Sequence, residues 1–389
     1  MEPNIEIARS LFKQNSFQET INTCNQILLT DSNKIEALKL IANSFIAIKK
    51  LDDARIYFNR ALNINPNDYE LIKDLGNTYK AIGDFNTAKR YYQKALEINC
   101  SYSPALANLG SIELSIGNKK EALSLLLKAT ESDPQLDLAW MFLANVYLQL
   151  GKSEEAEISC QKSIDLNANL FNSHYLLGLI LVRKEKHKEA AQAFRKTLEI
   201  NPSFAEAHSN LGAILKGHGN LKEAEISIRK AIEIKPDNPT ALSNLGAILT
   251  DIGNLKEAEL SIREAIKLNP NLADAHFNLA NILMDLGKPD EAEKSQRKVI
   301  ELKPNLAEAY FNLGKILIKL GKFEEMINAY EQAYILEPSN PKYYAVKGTK
   351  VSDFYRKPLN EDEKLINTIN LGNWNNSKEL LEKICKENY

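Results

Sequence analysis

The feature that most constrains this chain is a spacing. A small residue recurs every 34 positions, at Ala42, Gly76, Gly110, Ala144, Gly178, Gly212, Gly246, Ala280 and Gly314. A series of alanines runs twelve residues behind it, at Ala54, Ala88, Ala122, Ala156, Ala190, Ala224, Ala258 and Ala292, and breaks only at Met326. Segments 208–237 and 242–271 are about two-thirds identical without a gap. Self-similarity at such a period marks one supersecondary unit copied many times. A unit too small to bury its own apolar face must stack on its neighbours, so the core is expected to run along the stack.

Within one repeat, Leu242, Leu245, Gly246 and Leu249 fall on a single helical face. Gly253 suits the left-handed end of that helix. Leu255, Ala258, Ile262, Ala265 and Ile266 then define the apolar face of a second helix that ends before Pro270. Prolines recur at that place, at 66, 134, 202, 236, 270, 304 and 338. Proline cannot continue the second helix, and its fixed φ is compatible with opening the next one. Small residues at the Gly246 and Ala258 positions would let paired helices approach closely. The predicted fold is therefore all-α, an α–α superhelix of about ten helix-turn-helix repeats with a C-terminal helical cap. Residues 1–34 form a degenerate first repeat, 35–340 nine in-register repeats, 341–358 a capping helix and linker, and 359–389 a helical hairpin. Departures mark soft places: Cys100 and Ala168 stand where proline is usual, and Glu185 where the inter-helix glycine is.

Composition and motif content narrow the function. A formal charge of −2 leaves no cationic excess for phosphate contacts, which argues against nucleic acid. No run of apolar residues is long enough to insert into a membrane. The first residues, Met1–Phe17, lack the apolar stretch of a signal peptide, and the four cysteines, Cys24, Cys100, Cys160 and Cys385, form no C-x-x-C pair. A reduced, cytoplasmic protein with small buried thiols is the expectation. Phosphate-loop, zincin and nucleophile-elbow signatures are absent, and "GHGNLK" at Gly217 joins two helices as a turn. His174, His208 and His276 share one position of the repeat, about 10 Å apart in a stack of packed helices. One metal cannot bridge that gap, so they are expected to replace an aromatic at the packing interface. No catalytic residue, metal or cofactor is expected, and the chain is read as no enzyme.

These residues resemble the tetratricopeptide repeat family, over about ten units from Met1 to Asn340. In the first unit Ala8, Leu11, Phe17, Ile21 and Cys24 keep register while Thr20 and Ser32 replace the usual alanine and proline. The resemblance implies that the first helices line a concave groove binding extended or helical protein segments, as a non-catalytic scaffold. Asn210, Asn244, Asn278 and Asn312, with Asn108 isolated, occupy one first-helix position. They resemble the asparagine ladder in the repeats of O-GlcNAc transferases, implying capture of a peptide backbone through side-chain amides. The alternative this implies is an accessory or substrate-targeting arm of a separate glycosyltransferase-type enzyme. Phe277 and Phe311 neighbour that row in the groove. Lys73, Asn77 and Asn108 resemble part of the carboxylate clamp of chaperone-binding repeats, but Leu138 and Phe142 stand where its further basic residues belong. Leu138, Met141, Phe142 and Tyr175 instead suggest an apolar mid-groove patch that either anchors a partner or packs within the array. A homodimer through Tyr343, Tyr344, Phe354, Tyr355 and Trp374 is a further expectation for the C-terminal segment.

Overall fold

The computed structural model describes residues 4–340, Lys342, and the dipeptides 348–349 and 369–370. The chain forms two compact bodies, Met1–Pro202 and Ser203–Tyr389. In the first body lie α1 (Ile5–Lys13), α2 (Phe17–Thr30), α3 (Ile35–Ala47), α4 (Leu51–Ile64), α5 (Tyr69–Ala81), α6 (Phe85–Ile98), α7 (Ser103–Ser115), α8 (Lys119–Ser132), α9 (Asp137–Gln149), α10 (Ser153–Leu166), α11 (Phe171–Arg183) and α12 (His187–Ile200). The second body holds α13 (Ala205–Gly217), α14 (Leu221–Ile234), α15 (Pro239–Ile252), α16 (Leu255–Leu268), α17 (Ala273–Asp285), α18 (Pro289–Leu302), α19 (Ala307–Lys319) and α20 (Phe323–Leu336).

Helices pair tightly within each repeat, and each second helix leans on the first helix of the next repeat in its body. Successive first helices also touch directly, as in α7 with α9 and α15 with α17, whereas second helices have no comparable contact. The first helices therefore form the inner, more crowded layer of each body. Long side chains span the wider outer layer. Arg229, Arg263 and Arg297 each bond a glutamate on their own helix and one on the next second helix, with 2.6 Å for Arg229–Glu257 and 2.7 Å for Arg263–Glu291.

The 34-residue spacing has a packing cause. A Cβ placed on Gly246 would lie 2.4 Å from Cγ1 of Ile262 and 3.2 Å from the Ala258 carbonyl oxygen. The absent side chain makes room for the large residue sixteen positions later, and Gly76–Tyr92, Gly110–Leu126, Gly178–Phe194, Gly212–Ile228 and Gly314–Tyr330 repeat the arrangement. Where alanine holds the small position, the partner position carries Cys160 or Gln296; Ala42 with Phe58 is the exception. All ten inter-helix turns place one residue in the left-handed region. Seven use glycine, at φ between 69° (Gly321) and 91° (Gly253), and Asn15, Lys49 and Glu185 take φ near 60° without it. Proline departs from the expectation for it. Helices such as α16 end at Leu268, and Pro270 sits in the linking turn rather than opening α17. Prolines open helices elsewhere, at Pro104, Pro239 and Pro289.

At the shared histidine position, ring nitrogens tie down those turns. Trp140 donates to the Pro134 carbonyl, and Nε2 of His174 and His276 lie 2.9 Å from the carbonyls of Ala168 and Pro270. A carbonyl only accepts, so Nε2 carries the proton in both rings. Of the thiols, Cys24 and Cys160 are buried, with burial pushing Cys160 up to about 12 and Cys24 to about 11. Cys100 is exposed, which corrects the expectation of a buried thiol there. Beyond Asn340 the structure describes β1 (Gly348–Thr349) and β2 (Ile369–Asn370), paired antiparallel. The rest of the capping helix, linker and hairpin lies outside the described residues, as do Tyr343, Tyr344, Phe354, Tyr355 and Trp374.

Candidate functional site

The inner layer of the first body carries a polar cluster built from three successive first helices. Lys73, Asn77 and Lys80 fall at i, i+4 and i+7 on α5, so they share one stripe. Asn77 Oδ1 accepts from the Tyr92 hydroxyl at 2.8 Å and from Nδ2 of Asn108 on α7 at 3.0 Å. Lys80 reaches across α7. Its ammonium donates to Ser111 Oγ at 2.6 Å and lies 3.4 Å from Asn108 Oδ1. It also sits 5.2 Å from the ring centroid of Phe142 on α9. Burial pushes the Lys80 ammonium down from its ordinary range. Lys73 pairs with the adjacent Asp74 instead. Asn108 is thus a member of an internal network rather than an isolated rung.

Lys80 is the residue that sequence reasoning missed. Its signal was the helical stripe it completes with Lys73 and Asn77. Its partner Phe142 stands where a basic residue would complete the chaperone-type clamp, and the cation over that ring comes from α5. The expected apolar patch is only partly a surface. Leu138 is exposed, whereas Met141 is 8% exposed and belongs to a core with Ala144, Cys160, Leu176 and Ile180. Tyr175 is half-buried with its ring 5.7 Å from Phe194.

In the second body Asn210, Asn244, Asn278 and Asn312 stand one per first helix on α13, α15, α17 and α19, each half-buried. Nδ2 of Asn278 lies 3.4 Å from Ser243 Oγ in the preceding repeat. The amides of Asn244 and Asn312 have no side-chain partner among the described residues. Phe277 beside them is half-buried. Phe311 is withdrawn into the core, 6% exposed and 5.4 Å from the Tyr330 ring, so it offers little surface to a partner. An open recess on α16, α17 and α18 gathers Arg263, Lys267, His276, Lys294 and Lys298. Most of its cations are already neutralised, Arg263 by Glu259 and Glu291, Lys267 by Glu264, and Lys298 by Glu301. No group of three or more metal-ligating side chains occurs among the described residues. No described helix is long and apolar enough to cross a membrane.

Helix pairs stacked in one register, joined by left-handed turns and locked by a small residue against a large one, define a helical repeat protein of the solenoid class. The tetratricopeptide repeat model matches residues 271–334. The family described as the cilia and flagella-associated protein 70 C-terminal domain matches residues 36–276, more than half of the chain, and the chain belongs to that repeat family. No curated protein matches the sequence. Among solved structures, the APC/C hetero-tetramer Cut9–Hcn1 is 13% identical, with 87% of this chain and 93% of that one covered at a TM-score of 0.50, a likeness of fold alone. YrrB, described as a TPR protein with an unusual peptide-binding site, is 26% identical over 48% of this chain and 95% of its own, with a TM-score of 0.37. MamA is 28% identical over 42% of this chain and 95% of its own, at the same TM-score of 0.37. Such proteins are in general non-catalytic scaffolds, and this chain has the fold of a protein-interaction scaffold.

Proposed function

We propose that this chain binds an extended protein segment along the inner layer of its second body, held mainly by main-chain contacts. The carrying observation is the row Asn210, Asn244, Asn278 and Asn312, half-buried and repeated once per first helix, in which Asn244 and Asn312 have no side-chain partner among the described residues. An asparagine in mid-helix is disfavoured by a few tenths of a kcal/mol against the best helix formers, roughly. Its amide offers two donors and an acceptor, which match the N–H and C=O of an extended backbone. Recognition of that kind is tolerant of sequence. The chain acts without catalysis of its own, in a reducing compartment such as the cytoplasm, where free thiols like Cys24, Cys100 and Cys160 persist.

The test is a pulldown from source-cell lysate with quantitative mass spectrometry, comparing the wild type with a variant carrying alanine at 210, 244, 278 and 312. Circular dichroism first establishes that both are folded. Selective loss of partners supports the reading, and a glycosyltransferase among them would extend it to a targeting arm. Identical partner sets would reduce the asparagines to copied consensus.

A further inference from the structure

Lys80 is unusual among the cations of this chain. Several described lysines outside the first helices reach a carboxylate, as Lys288 does with Glu259 at 2.9 Å and Lys322 with Glu293 at 2.7 Å. Lys80 instead leaves its own helix, crosses α7, and ends among neutral groups: the Ser111 hydroxyl, the Asn108 amide oxygen and the face of Phe142. None of the ion pairs among the described residues involves it, and its stripe-mate Lys73 is committed to Asp74. The surrounding dipoles are themselves held in place. Asn108 Nδ2 is fixed by Asn77 Oδ1, Asn77 Oδ1 by the Tyr92 hydroxyl, and Ser111 Oγ donates to the Asn108 carbonyl at 2.8 Å.

An ammonium withdrawn from water without a counter-ion is a standing cost that a ligand anion removes. Of its three N–H groups, one makes a short bond and one a long one, and the third has no hydrogen-bond partner among the described residues. Because the cluster is already organised, an incoming anion would order little that is not ordered beforehand. The aromatic face beside the charge provides an apolar wall against which the methylenes of an acidic side chain can lie.

We infer that Lys80, with Asn108, Ser111 and Phe142, forms a subsite for one side-chain carboxylate of an extended segment lying across α5, α7 and α9. A single uncompensated cation matches a single carboxylate; a phosphate dianion would require a second free cation, and Lys73 is already neutralised. The inner layer continues on both sides of the subsite, through α3 and α11, so a chain can pass through with its side chain as the anchor. This differs from a clamp for a terminal carboxylate, whose further cations would stand at Leu138 and Phe142. The inference rests on the reading of the inner layer as a peptide surface, and makes that surface selective for acidic partners.

Three fluorescent decapeptides on the full chain test it by anisotropy at fixed ionic strength: amidated alternating Gly-Glu, amidated alternating Gly-Gln, and Gly-Gln with a free C-terminus. The wild type is expected to bind the amidated Glu peptide about tenfold more tightly than the amidated Gln peptide, a difference of about 1.4 kcal/mol. Lys80→Met should bring the two within about twofold, the Lys80→Gln variant serving equally if the first fails to fold. Lys128→Met, which removes an exposed charge on α8, should leave the preference intact. A preference retained in both Lys80 variants, no Glu preference in the wild type, binding of neither amidated peptide, or preference only for the free C-terminus each overturns the inference. The quadruple asparagine variant separates the two readings. Wild-type affinity in it defeats the asparagine row alone, whereas a lost Glu preference in Lys80→Met stands independently.

Discussion

At the residue scale, the informative positions are those where the repeat breaks its own rule. Gln296 occupies the place held by Ile228 and Ile262 in the two preceding repeats, and it is fully buried. Its Nε2 donates to the Ala309 carbonyl at 2.8 Å, but Oε1 has no partner. A buried acceptor left unpaired costs about 1–3 kcal/mol, so Gln296→Leu should stabilise the second body by about 1 kcal/mol after loss of the donated bond. An unchanged or lower denaturation midpoint would mean that relaxation already satisfies that oxygen. Glu185 holds φ 58° in a turn where seven others use glycine. Glu185→Gly should stabilise the first body by about 0.5–1 kcal/mol, read as a higher denaturation midpoint, because the left-handed strain outweighs the extra freedom of the unfolded glycine. The Glu185 irregularity was legible in the sequence, since the 34-residue register names the residue that must bend. Lys80 was legible only as the third member of a stripe with Lys73 and Asn77, because the register places it on α5 without saying that its side chain crosses α7.

At the scale of elements, the sequence carried the helix pairing and missed how the outer layer is joined. The pairing was legible because close approach demands a small residue, and Gly246 and its glycine or alanine equivalents supply it. Gly246→Ala would force Ile262 and the facing backbone apart, with an expected loss of about 1–3 kcal/mol by denaturant melt. The Arg229, Arg263 and Arg297 series was hidden, because charges on a solvated helix face look alike whether or not they meet across repeats. Two of its carboxylates, Glu259 and Glu293, are held below their ordinary range. Hydrogen bonding from Lys288 and Arg263 lowers Glu259 against the opposing effect of burial. For Glu293, burial pushes up, and Lys322 with Arg297 more than offsets it, leaving the carboxyl below its ordinary range. A carboxyl depressed in the folded state contributes stability above its unfolded pKa, and that contribution disappears as pH falls through the folded value. The second body should therefore lose stability on acidification below about pH 4. Glu259→Gln with Glu293→Gln should flatten that dependence; an unaltered pH profile would show the pairs to be energetically idle. Arg263→Met should cost no more than about 1 kcal/mol, and less at high salt, since these pairs are partly exposed.

For the molecule as a whole, stability is carried by neighbour contacts, so damage should spread locally rather than abolish folding everywhere. Ala258 is fully buried between α15 and α16, and Ala258→Asp places a carboxylate there without a counter-charge. Hydrogen exchange should then rise in α15–α17 while α1–α6 keep their protection; uniform loss would show that the chain melts as one unit. The central claim is that partners lie on the inner layer. The measurement that tests it most directly is photo-crosslinking in source cells, from a benzophenone side chain placed at Asn244 on α15 or at Leu260, 69% exposed on α16. Discrete protein adducts from position 244, absent from position 260, are the expected result. Adducts formed equally well from position 260, or from it alone, would place binding on the outer layer and contradict the account.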